Sequence, residues 1–88
     1  MPATVSDMAH PRDTMRWDAV KEAYRLCPRE LEVLRLLYDG LINKQIASQL
    51  GIERSTVATY IRRIYAKVGP RRRDQVLLEV ARVGLSDD

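Results

Sequence analysis

From Arg54 to Arg73 the chain carries seven of its fifteen Lys and Arg residues and no Asp or Glu. The rest of the chain holds eight basic and twelve acidic residues, so the net charge of +3 conceals one basic segment in an otherwise acidic protein. Guanidinium and ammonium groups without neighbouring carboxylates suit a surface that binds phosphate. Three residues in this segment, Ser55, Thr59 and Arg62, follow one another at spacings of four and three. At about 100° per residue those spacings place them on one side of a helix. Arg62 can form a paired contact to guanine, and the Thr59 methyl can meet a thymine methyl. Thr56, Arg63 and Lys67 lie to one flank and suit phosphate, as does Lys44 further upstream; Ala58 and Tyr65 lie to the other flank.

Other chemistry finds no residues to carry it. His10 is the only histidine and Cys27 the only cysteine, so a Cys/His zinc site cannot be assembled and no intramolecular disulfide can form. There is no nucleophile–base pair and no phosphate-cradling glycine loop. An enzyme is therefore not expected, and neither is a cofactor. No apolar run reaches the roughly 18–20 residues of a membrane span, and no signal-peptide pattern opens the chain. A cytoplasmic protein is expected.

The elements that must position the basic face follow from periodicity and punctuation. Residues 1–13 are polar, contain Pro2 and Pro11, and predict a flexible tail. Residues 14–26 predict a helix with Trp17, Val20 and Tyr24 in a stripe that continues to Cys27; the stripe suits either the domain's own core or a partner. Pro28 opens a second helix, with Leu31, Leu34, Leu37 and Tyr38 along one side and Asp39-Gly40 at its end. Residues 43–50 form a short helix with Ile46, Ala47 and Leu50 turned inward. Gly51 makes a tight turn, and a longer helix covers about 54–68 with Val57, Ile61, Ile64 and Val68 on its apolar side. Gly69-Pro70 stops it. A last helix spans about 72–83, and residues 86–88 form a short tail. There is no strand signal, so the expected class is all-α. Two short helices around a glycine, the second basic and without acidic residues, are the pattern of a helix-turn-helix whose second helix enters a DNA major groove.

The last helix carries two apolar sides. Val76, Val80 and Val83 suit the core. Leu78, Ala81 and Leu85 lie opposite, where a monomer has little use for them. A homodimer through this side is expected, with two reading helices about one DNA turn apart on an inverted-repeat site.

Residues 26–85 resemble the LuxR/FixJ/NarL-type (GerE-like) DNA-binding domain of bacterial transcription regulators. The resemblance rests on Leu26, Pro28-Arg29-Glu30, Glu32-Val33-Leu34, Gly40-Leu41, Asn43-Lys44-Gln45-Ile46-Ala47, Leu50, Thr56-Val57, Lys67 and Gly69. It implies a four-helix LuxR-type helix-turn-helix bundle over 27–85, preceded here by an additional N-terminal helix. It also implies that the third helix of the bundle reads bases at positions corresponding to Ala58, Thr59 and Arg62, and that the fourth often pairs two protomers. The family often has lysine where this chain has Ala58, which moves weight onto Arg62. Each bundle helix usually begins with a small hydroxyl or amide cap; the matching positions here are Cys27, Ile42, Glu53 and Arg72, none of them a good cap. Glu30 and Gln45 can still bond back from the third helical position.

The leading expectation is a sequence-specific transcription regulator consisting of a DNA-binding domain alone, since 88 residues leave no room for a sensor or receiver domain. One alternative is a promoter-reading domain like that of a sigma factor, acting with RNA polymerase. Another is an interaction module that sequesters a full-length LuxR-type regulator in heterodimers.

Overall fold

The computed structural model describes residues 15–86. The expected tail over 1–13, the first residue of the helix expected from 14, and the last two residues of the chain lie outside them. Five helices follow in order: α1 (Trp17–Tyr24), α2 (Pro28–Tyr38), α3 (Asn43–Leu50), α4 (Arg54–Val68) and α5 (Arg73–Gly84). No strand occurs among the described residues. Helices α2 to α5 form the bundle, and α1 is the additional element in front of it.

Helix α4 is the hub. It packs on α2 and α3, and also meets α5. Its Val57 and Ile64 are wholly buried against Val33, Leu34 and Leu37 of α2, Ile46 and Ala47 of α3, and Val76 and Val80 of α5. Burying each such side chain stabilises the fold by about 1.5–3 kcal/mol relative to leaving it exposed. Ile61 and Val68 of the expected apolar side are only partly buried and pack at the edge of this core.

Three helices end in the same way. Gly40 and Gly51 have φ of +96° and +68°, and the backbone doubles back there to occupy the last free carbonyls. At α3, Gly51 N–H donates to Ser48 O and Ile52 N–H to Ala47 O, which closes the helix and sets the turn into α4. Helix α1 ends likewise, with Leu26 N–H donating to Lys21 O, but the left-handed residue is Arg25, at φ 54°. A side chain in that region costs about 1–2 kcal/mol.

This closure also corrects the expected extent of α1. The helix stops at Tyr24, so Cys27 leaves the apolar stripe and is exposed, while Val20 is wholly buried. Helix α1 itself belongs to the core of the domain. Trp17 meets Tyr38 of α2 edge-to-face at 5.4 Å, and Tyr24 Oη donates to the Glu79 carbonyl of α5 at 3.4 Å. Arg16 N–H donates to Gly84 O at 2.9 Å, and Met15 packs directly on Gly84.

The caps are as poor as the sequence suggests. Cys27, Ile42, Glu53 and Arg72 occupy the N-cap positions, and none makes a side-chain cap bond. What compensates is the returning half of a capping box: Cys27 N–H donates to Glu30 Oε1 at 3.0 Å, and Ile42 N–H to Gln45 Oε1 at 2.9 Å.

Candidate nucleic-acid interface

The outer side of α4 is built by the inner one. With Val57 and Ile64 seated in the core, Ser55 and Arg62 must face outward, and both are exposed. Thr59 lies between them, half-buried. Its hydroxyl donates to Ser55 O at 3.1 Å and accepts from Arg62 Nη2 at 3.4 Å. The hydroxyl is thus satisfied within the helix, and Arg62 is held along the helix axis with its remaining N–H donors free to bond an outside acceptor. Ala58 is half-buried on the flank and offers only a methyl group.

Along the other flank, Thr56 is half-buried and Arg63 is exposed, its guanidinium 5.8 Å from the centre of the Tyr60 ring. That contact steers the cation without using its hydrogen-bond donors. Lys44 is exposed in the first turn of α3 and forms no ion pair among the described residues.

Two cations of the basic segment are employed elsewhere. Lys67 lies about 140° around the helix from Arg62. Its Nζ is 2.7 Å from Glu30 Oε1 and 2.9 Å from the Arg25 carbonyl. The expectation of a freely available phosphate contact at Lys67 did not foresee these two partners. Arg73, counted above among the basic run, donates to the carbonyls of Leu37 at 3.3 Å and Leu41 at 2.9 Å. Leu37 lies in the last turn of α2 and Leu41 in the connection to α3, so Arg73 ties the end of that helix and the loop after it to the start of α5. Both partnerships span more than thirty positions, and nothing in local spacing signals them. Arg54, Arg71 and Arg72 remain exposed, Arg72 beside Asp74 at 3.4 Å.

On α5, Leu78 is 64% exposed and Ala81 half-buried, and Leu85, which follows the last residue of the helix, is 42% exposed. Helix α1 leaves this side of α5 uncovered.

A basic helix set by a glycine turn against a shorter helix is the geometry of a helix-turn-helix, and residues 25–80 match the family model described as bacterial regulatory proteins, luxR family. The chain belongs to this family. It is 44% identical over 59 residues to an HTH-type transcriptional regulator of Mycobacterium bovis, covering 67% of this chain. It is 37% identical over 67 residues to the HTH-type transcriptional regulator MalT of Yersinia pestis, covering 73% of this chain. In both cases the match spans only 7% of the relative's length. No solved structure matches. The five-helix unit is therefore a luxR-type helix-turn-helix domain, and none of its described helices is long and apolar enough to cross a membrane.

Proposed function

We propose that this domain binds a specific double-stranded DNA sequence in transcription regulation, as a dimer, with α4 in the major groove. The observation that carries the reading is the outer side of α4, where Ser55, Thr59 and Arg62 stand exposed or half-exposed and carboxylate-free opposite Val57 and Ile64. Arg62 is the principal base reader, with Ser55, Thr59 and the small Ala58 completing the face. Lys44, Thr56 and Arg63 hold the phosphate backbone on either side and fix the register. No cofactor takes part.

Leu78, Ala81 and Leu85 pair two copies about a two-fold axis. The exposure of Leu78 and Leu85 outside the buried valine side of α5 supports this use. The same side of α5 would also serve pairing with a longer relative. The presence of α5 speaks against a sigma-like reader, and failure to co-purify with core RNA polymerase is the expected result for this domain. The matched relatives are far longer, so the proposal concerns the domain and not a whole regulator.

Selection of bound sequences from a random DNA pool tests the reading. The expected product is an inverted repeat with half-sites about one helical turn apart. A pool that emerges with no enriched sequence would overturn it.

A further inference from the structure

We propose that Lys67 and Glu30 are positioning residues for DNA reading, and that through the Arg25 carbonyl they make α1 a determinant of how the reading helix is presented. The inference rests on the DNA-binding reading above.

Three elements converge on one ion pair. Glu30 Oε1 accepts from Lys67 Nζ at 2.7 Å and from Cys27 N–H at 3.0 Å. Lys67 Nζ also donates to Arg25 O at 2.9 Å. The last turn of α4, the first turn of α2 and the closing residue of α1 therefore meet at one oxygen and one ammonium. The two side chains differ sharply in exposure, 3% for Glu30 and 36% for Lys67. Lys67 is the only cation paired with Glu30 among the described residues. A buried carboxylate with one counter-ion dictates where that counter-ion stands. Here the counter-ion is carried on the helix that reads.

Position matters because the core alone leaves one freedom. Val57 and Ile64 set the depth of α4, but Arg62 stands on the far side of the helix, where a small residual roll about the axis has its largest effect. A roll of about 20° moves a point at the 5–6 Å side-chain radius by about 2 Å. A base contact through Arg62 does not survive such a shift, since hydrogen bonds weaken within a few tenths of an ångström. Lys67 is about 140° from Arg62 and five residues further on, so its tether opposes that roll. The Arg25 carbonyl, the second acceptor, belongs to the left-handed residue that closes α1. A segment or partner that draws α1 away would remove that acceptor.

A phosphate contact and a positioning contact have different signatures. The informative variant is the double replacement Glu30→Gln with Lys67→Met, which leaves no unpaired buried charge and preserves the net charge of the chain. Its affinity for the selected DNA and for a scrambled duplex is measured by fluorescence anisotropy across a salt series, with circular dichroism confirming the fold. The expected result is a loss of about tenfold or more in the preference for the selected duplex, an unchanged affinity for the scrambled one, and a salt slope equal to that of the wild type. Glu30→Gln alone is expected to lose preference as well, although removal of a negative charge should otherwise strengthen binding to DNA. Trp17→Ala, which loosens α1 against α2 while leaving the chain at full length, is expected to lower the preference in the same direction. A flattening of the salt slope by about 0.9, with preference retained, makes Lys67 a phosphate contact and overturns the proposal. A wild-type chain that binds neither duplex overturns the DNA-binding reading itself.

Discussion

The guanidinium of Arg73 donates to the carbonyl oxygen of Leu41 at 2.9 Å, across thirty-two positions of sequence. Arg73 also reaches the Leu37 carbonyl, so the first residue of α5 holds the last turn of α2 and the loop that follows it. A hydrogen bond from a charged donor contributes about 1.5–3 kcal/mol, and it counts most at Leu41, because the Leu37 carbonyl also accepts from the Gly40 N–H. Arg73→Ala is expected to lower stability by about 1–3 kcal/mol in urea melts. Its DNA-binding salt slope should match the wild type's. A flattened slope with unchanged stability would place Arg73 on the DNA instead.

The Glu30–Lys67 pair predicts an acid dependence. Burial alone would raise the Glu30 carboxyl. The Lys67 hydrogen bond and charge and the Cys27 N–H outweigh burial, and together hold its pKa below the ordinary 4.5. A group whose folded pKa is depressed stabilises the fold above its unfolded pKa and loses that contribution as pH falls through the folded value. The stability gap between wild type and Glu30→Gln is therefore expected to be full near neutrality and to shrink below about pH 4.5. A gap that is constant from pH 7 to pH 3 would contradict the assignment.

Ile42 caps α3 with a side chain that cannot accept a bond, yet Gln45 already supplies the returning half of the box. Ile42 is 54% exposed, so its replacement loses little burial. Ile42→Ser is expected to raise stability by about 0.5–2 kcal/mol. The gain should be reduced in a Gln45→Ala background, where only one half remains. Thermal melts of the single and double variants check both statements, and no gain from serine would sink them.

Helix α1 is seated on α5 by a close approach. A Cβ added at Gly84 would lie 2.5 Å from Met15 Cε and 3.2 Å from Val20 Cγ2. Gly84→Ala is expected to destabilise the domain by displacing Met15. In a Met15→Ala background the same change meets only Val20 Cγ2, so its cost should be smaller. A double-mutant cycle measures this coupling. Equal effects of Gly84→Ala in both backgrounds would mean the contact carries no energy.

Arg62 is expected to discriminate bases, each good paired contact being worth about 1–3 kcal/mol. Arg62→Ala should relax preference at one position of each half-site, whereas Lys44→Ala should weaken all duplexes alike and flatten the salt dependence. An unaltered base preference in Arg62→Ala would move the reading role to another residue.

Local order in the sequence determined most of the scaffold. Apolar spacing near 3.6, Pro28 at a helix start and Gly40, Gly51 and Gly69 at helix ends locate α2 to α4 nearly residue by residue, because each signal acts within one or two turns of backbone. The basic segment and the outward order of Ser55, Thr59 and Arg62 followed for the same reason. The end of α1 was not legible, since Arg25 takes a conformation that glycine usually supplies and no local residue announces it. Only the tertiary structure decided which cations of the segment are free. Lys67 and Arg73 read in sequence like Arg63, but a buried carboxylate and the carbonyls of Arg25, Leu37 and Leu41, all distant in sequence, occupy them. Charge is a property of a residue, whereas its availability to a ligand depends on which unsatisfied group the fold brings within about 3 Å of it.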